Sequence, residues 1–231
     1  MLSLEFDIRA VTDARSLRSF LRKVSWPKLA LRLATPLALI ALPFFILVRG
    51  AVLLYRDAGW PSWLALMGSG AAMIGVLALY GALMTRRLTG RARFGWIARW
   101  VAMPLVVGFM VRGLVFLDRA HAQNEAIREE YQDTHPLLRM ALATLDIADD
   151  NLVVTDMSRT AADYVRMGLP VLPNTMHAVQ RDGWVHAVDI HTRGRGFFVN
   201  FFVASYFRVM GFRVLRHVGT ADHLHVELPL N

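Results

Sequence analysis

Three apolar stretches, residues 29–48, 63–84 and 96–117, dominate the first half of the chain. Each approaches the roughly 20 residues a helix needs to cross about 30 Å of hydrocarbon. Lipid offers backbone polar groups no partners, so a spanning segment must satisfy them within a helix or a closed barrel. The stretches therefore predict three transmembrane helices; the alternative is three buried helices of a soluble core. The second stretch carries no charge and holds Gly68, Gly70 and Gly75, which permit close helix contact. The first has Arg32 near its start and runs on past Arg49 to Tyr55, and the third has Arg99 and Arg112 near its ends. Long Arg side chains there reach the headgroup layer. Pro36, Pro43 and Pro104 are tolerated in membrane helices.

Charge divides the chain in the same place. Residues 1–117 hold 15 Lys+Arg against 4 Asp+Glu, whereas residues 118–231 hold 11 against 14. The overall excess of +8 would ordinarily raise nucleic acid as a partner. Here the basic residues flank apolar stretches, so they read as membrane-flanking charge, and the expected partner is a lipid bilayer with no nucleic acid. Residues 1–28 form a basic segment that lacks the small-residue cleavage site of a signal peptide. The loop after the second stretch carries Arg86, Arg87, Arg91 and Arg93, while the loop before it has only Arg49 and Arg56 against Asp57. Basic loops stay cytoplasmic. The N-terminus is thus expected inside, and in a bacterium residues 118–231 lie on the periplasmic or extracytoplasmic side of the inner (cytoplasmic) membrane. No cysteine is present, which excludes disulfides and thiolate metal ligands.

The expected domains are a basic cytoplasmic segment (1–28), a membrane region (29–117), a helical linker (118–135) and a compact domain (136–231). In that last domain, residues 137–145, 160–167 and 197–210 read as helices. Thr160 and Asp163 are spaced as a capping box and Gly168 follows as a stop. The helix over 197–210 is apolar nearly all round and too short to span, so it predicts a buried helix. Pro170 and Pro173 bracket an extended stretch. Residues 151–155, 184–191, 213–218 and 224–228 read as strands, the last two joined across residues 219–223 as a hairpin. The fold class is an N-terminal three-helix transmembrane region plus a C-terminal α+β domain with a small antiparallel sheet.

All eight histidines follow residue 118. In Asp222-His223-Leu224-His225-Val226-Glu227, a strand's period of two puts His223, His225 and Glu227 on one face and Leu224 and Val226 on the other. Catalytic zinc takes three ligands from His, Asp or Glu and leaves one position open. In the outer domain His177, His186, His191, His217, His223, His225 and nearby acids are the available ligands.

These residues resemble a known family. Thr175-x-His177, then Ala187-Val188-Asp189-Ile190, then Asp222-x-x-His225 within a His-x-His, are similar to the motifs of the D-alanyl-D-alanine carboxypeptidase and hedgehog-type zinc peptidases. The resemblance covers about residues 151–230. It implies that fold for the outer domain, with His177, Asp189 and His225 as ligands to Zn2+, Asp222 as general base, and His223 lining the site and stabilising an oxyanion. The family spaces its first His and its Asp more closely; here eleven residues, Ala178 to Val188, intervene. Thr175 stands for Ser, Val185 for Gly and Asp222 for Glu. His186 is the alternative first ligand, although on a strand it would face away from Asp189. Arg193 and Arg195, after the Asp189 strand, read either as a grip on a substrate carboxylate or as solvated turn residues; Thr175 is a further substrate-side candidate.

The resemblance implies a membrane-anchored zinc metallopeptidase that hydrolyses peptide bonds of peptidoglycan, a D,D-carboxypeptidase or endopeptidase whose substrate is the cell-wall peptide stem. The alternative is a non-catalytic, zinc-containing module that binds peptidoglycan or peptide. A third reading is a structural membrane protein with incidental histidines.

Overall fold

A computed structural model of the chain describes residues 25–166, 168, 170, 175–219 and 222–230. The expected basic segment 1–28 lies outside the described residues as far as residue 24. So do Met167, Pro173 and residues 220–221 of the expected hairpin loop. The chain divides into two compact units, Met1–Leu42 and Pro43–Asn231.

Among the described residues three helices are long and apolar enough to cross a membrane: α1 (Trp26–Arg56, from Ala34 onward), α2 (Ser62–Thr89) and α3 (Phe94–Val115). Only 28%, 33% and 17% of their apolar windows are buried, so most of each faces outward, as a lipid-facing surface does. Gly90 ends α2 in the left-handed region and closes the last turn through its N–H to the Arg86 carbonyl. In α3 a π-helical turn, Ala98–Ala102, directly precedes the segment that contains Pro104. Proline cannot donate to the preceding turn, and the wider turn absorbs the mismatch. Of the three glycines expected to allow close contact, Gly68 lies against Leu54 and Trp60 and Gly70 against Met110 of α3, while Gly75 has open space beside it.

The polar composition of residues 118–135 predicts a helical linker. The structure instead folds them into a 3-10 turn (Arg119–His121), a short helix α4 (Glu125–Glu130) and a second 3-10 turn (Tyr131–Asp133). Ile127 and Tyr131 are buried. The Tyr131 hydroxyl donates to the Gly113 carbonyl at the end of α3, and Arg139 donates to the Leu114 carbonyl. Two apolar anchors among acidic neighbours are enough to pack the segment, and too few to show as a periodic pattern.

The remaining elements are α5 (Pro136–Asp146), β1 (Val154–Asp156), α6 (Ala161–Arg166), β2 (Ala187–His191), α7 (Phe197–Met210), β3 (Arg213–His217) and β4 (His223–Glu227). Thr160 and Asp163 cap α6 reciprocally: Thr160 N–H reaches Asp163 Oδ2 at 2.7 Å, and Asp163 N–H reaches Thr160 Oγ1 at 3.4 Å. The four strands form one antiparallel sheet in the order β1-β2-β4-β3. Pairing sets Asp189 opposite His225 and His191 opposite His223, with His217 opposite His223 on the other side. By alternation Val188, Ile190, Leu224 and Val226 share one face, and Asp189, His225, His223 and Glu227 the other.

The apolar face belongs to a continuous core with Leu137, Leu138 and Leu142 of α5 and Val203, Phe207 and Met210 of α7. The same core takes in Leu47, Val48 and Val52 of α1, Leu66 and Met73 of α2 and Val106 of α3. Gly113 of α3 makes room for Met140 and Ala143 of α5; a Cβ there would stand 2.7 Å from both side chains. The expectation that α7 is a buried helix needs correction. Asn200, Val203, Ala204, Phe207 and Met210 are buried, but Phe197, Phe198, Phe201 and Phe202 are 51–82% exposed. A single sheet can cover only one stripe of a helix, and the opposite stripe of α7 stays open.

Candidate metal centre

Three side chains expected as ligands come together on the polar face of the sheet. His177 Nε2 lies 3.1 Å from His225 Nδ1 and 3.3 Å from Asp189 Oδ1, and His225 Nδ1 lies 2.9 Å from that same oxygen. Ligands about 2.1 Å from a tetrahedral zinc stand roughly 3.4 Å apart. The three atoms thus enclose a site of nearly that size. His177 and Asp189 are buried, and the His225 side chain is 14% exposed.

Neighbouring groups set which ring nitrogen can bind. His177 Nδ1–H donates to the Met157 carbonyl at 2.7 Å, which makes Nε2 the ring atom turned to the centre. His225 Nε2 faces Glu227 Oε2 at 3.3 Å, so a proton held there leaves Nδ1 for the centre. Arg159 bridges two carboxylates: it pairs with Asp156 and donates through Nη2 to Asp189 Oδ2 at 2.7 Å. Asp189 is therefore held with one oxygen anchored and the other presented. Burial alone would push the Asp189 carboxyl up. Hydrogen bonds from His177 and His225, with the charges of His177 and His223, outweigh it and hold the group well below the usual carboxylate range. His225 shows the reverse balance: burial disfavours its charge, but Asp189 and Glu227 raise its pKa. Without a cation, these two acids call for a doubly protonated ring. A divalent ion would take the place of the proton between His225 and Asp189, so the donor set fits such an ion.

Backbone bonds on both sides deliver His177 to the sheet. Arg159 N–H donates to the His177 carbonyl at 2.9 Å, and His186 N–H to the Met176 carbonyl at 2.9 Å. Thr175 Oγ1 accepts the His177 N–H at 3.3 Å, so Thr175 shapes the turn that presents the ligand. The long spacing between His177 and Asp189 is taken up by a turn that folds back on itself, with Val179 bridging to Val185.

The other expected site residues are placed as follows. His223 lies on the face of the triad, its Nε2 3.5 Å from Asp189 Oδ2, with its ring stacked on His217 at 4.8 Å. Asp222 is turned elsewhere. Its Oδ1 accepts from Thr192 Oγ1 at 2.8 Å and its Oδ2 from Arg216 Nη2 at 2.9 Å. These bonds, the Arg216 pair first, hold its carboxyl below the ordinary range. Arg195 pairs with Asp149 beside an open cavity of about 610 Å3 that none of the triad residues lines. Arg193 is exposed in the turn after β2. His186 lies on the other side, 2.8 Å from Asp182 Oδ2, in a separate group with His135. Sequence reasoning missed the roles of Arg159, Glu227 and the Met157 carbonyl. The alternation of β4 already placed Glu227 beside His225, but no spacing rule links Arg159 to an acid thirty residues on.

Comparisons with models of known protein families, with curated proteins and with solved structures found no match to this chain.

Proposed function

We propose that this chain is a membrane-anchored zinc peptidase acting on peptide stems of peptidoglycan, with His177, Asp189 and His225 as metal ligands. The observation that carries the reading is the meeting of these three side chains, each with its outward atom already bonded to Met157, Arg159 or Glu227. Preset ligand orientation of this kind is what metal sites use to hold an ion tightly. A zinc ion there would polarise a scissile carbonyl and lower the pKa of a water toward ~7. His223 is the residue we assign to the substrate: it stands beside Asp189, with 22% of its side chain open to solvent. Its imidazole can stabilise negative charge on the carbonyl oxygen or move a proton to the leaving amine. The substrate class rests on the sequence resemblance. The outward placement of residues 118–231, at the bacterial inner membrane, rests on the arginine-rich loop after α2.

A second reading, a zinc-holding module that binds peptide without cleaving it, is favoured by one observation. The carboxylate expected as general base, Asp222, is engaged by Arg216 and Thr192. The decisive experiment is digestion of cross-linked muropeptides by the purified full chain in detergent, read by mass spectrometry, for the native protein and for His225→Ala. The peptidase reading expects cleavage that His225→Ala and chelators abolish. A zinc-loaded native protein that binds muropeptides and leaves every bond intact would select the binding module. Asp222→Asn refines the outcome: unchanged turnover removes that residue from the mechanism.

A further inference from the structure

A second cluster lies on the opposite side of β2. His186 immediately precedes the strand, and its ring turns away from Asp189. Its Nδ1–H donates to the Leu228 carbonyl at 3.2 Å, which leaves Nε2 as the lone-pair nitrogen, 2.8 Å from Asp182 Oδ2. Two electron-rich atoms do not rest at that distance unless a proton or a cation lies between them. His135, at the N-terminus of α5, brings its Nε2 to 3.9 Å from the same Asp182 oxygen. The ligand atoms of His135, Asp182 and His186 all lie within 4.8 Å of one another. The His135 ring is 0% exposed, and its Nε2 is buried with no hydrogen-bond partner. A buried ring nitrogen left without a partner is costly, and this one is aimed into the cluster.

The surroundings favour a cation. Tyr55, at the end of α1, stands near enough to interact with the Asp182 carboxylate, and the Tyr55 and His135 rings stand 5.0 Å apart. Arg139 is directed away, donating to the Leu114 carbonyl and lying over the Trp184 ring. Ligation through His135 Nε2 would move that ring's proton to Nδ1. It would cost one long bond, the 3.2 Å contact from Leu137 N–H. Two imidazole nitrogens and one carboxylate oxygen suit zinc and its neighbours, whereas calcium and magnesium take oxygen ligands.

We propose that His135, Asp182 and His186 form a second, structural site for a zinc-type divalent cation. It joins the end of α1 to the start of α5 and to the entrance of β2. The role is structural because both rings are wholly buried, which leaves no room for a substrate; Asp182, with 37% of its side chain exposed, is the way in for the ion. This site is independent of the proposed peptidase centre, and its test separates the two.

The test is metal counting on tag-free full chain in detergent, stripped with chelator and reloaded with Zn2+, together with thermal unfolding with and without the ion. The native protein should hold two ions per chain. Asp189→Asn should hold one, and its melting temperature should still rise when Zn2+ is added. Adding Asp182→Asn to it should remove both the remaining ion and that rise. Asp182→Asn alone should also hold one ion. Asp182 is partly exposed, so the amide keeps the local shape. An Asp189→Asn protein that binds no ion and gains no stability from zinc would overturn the proposal and leave a metal-free His186–Asp182 ion pair. Should Asp189→Asn fail to fold, the native count decides: two ions support the site, and one ion that His225→Ala removes overturns it. One native ion lost in Asp182→Asn but kept in His225→Ala would sustain the second site while the peptidase reading falls.

Discussion

The two faces of the small sheet are built on different physics from the same four strands. On one, Val188, Ile190, Leu224 and Val226 are 0–2% exposed and merge with Phe207 and the leucines of α5. That face needs only apolar side chains of suitable size, because hydrophobic burial is non-directional. On the other, Asp189, His225 and the His177 brought against them are held by partners chosen atom by atom: Arg159, Glu227 and the Met157 carbonyl, respectively. Polar groups in that position stay only if each is satisfied. The apolar face therefore carries stability and the polar face carries geometry, and substitutions on the two should fail in different ways.

Phe207→Ala should show the largest loss. It removes a fully buried aromatic ring from the core, which costs about 3–5 kcal/mol. Thermal unfolding in detergent should drop sharply, while zinc affinity per folded molecule stays at the native value. A parallel fall in that affinity would mean that the two faces are not separable.

On the polar face, Asp189→Asn should do the opposite. The amide keeps the shape but loses the charge that both His177 and His225 address. Competition titration should show more than about a 100-fold loss of zinc affinity at this centre, beyond the range for outer-sphere partners. Glu227→Gln is the graded version. It leaves all three ligands and weakens the acceptor behind His225 Nε2, together with the pair that the largely exposed Arg213 makes with the other oxygen of Glu227. Outer partners of this kind contribute about 10–100-fold in affinity, roughly 1.4–2.7 kcal/mol. Native affinity in Glu227→Gln would show that β4 alone orients His225.

The same contrast explains what could be read from the chain. The apolar face follows from the period of two, and the spanning helices follow from length and composition. The candidate ligands were reachable through the motif resemblance, and the alternation of β2 and β4 makes the faces of Asp189 and His225 legible. Arg159 was not, because its two carboxylates meet only after β1 pairs with β2 across an irregular register at Val154 and Asp156. Asp222 shows the limit of motif spacing. Three residues before His225 it matches a pattern, yet its carboxylate goes to Thr192 and Arg216, partners fixed by the turn after β2 and by β3. Local periodicity tells which face a side chain takes, and tertiary pairing decides whom it meets.

The smallest effect tests how far the polar face depends on support from behind. Glu130 Oε2 accepts the Ser158 N–H at 3.1 Å, and Ser158 stands between Met157 and Arg159, which hold His177 and Asp189. Burial raises the Glu130 carboxyl above its ordinary 4.5; the Ser158 bond opposes this, and Asp156, Asp163 and Asp133 add to it. A raised acid binds its proton more tightly in the folded chain than in the unfolded one. Stability from this group is therefore full below about 4.5, falls as pH rises toward the raised value, and stays lower above it. Glu130→Gln removes the ionisation and keeps an oxygen for Ser158. It should stabilise the protein at pH 7 by on the order of a few tenths of a kcal/mol after solvent screening, and the gain should vanish near pH 4. Melting temperatures of the two proteins across that range check it. A loss of stability at pH 7, with weaker zinc binding, would mean that the charged carboxylate is itself needed to hold the Met157–Arg159 segment against the candidate metal centre.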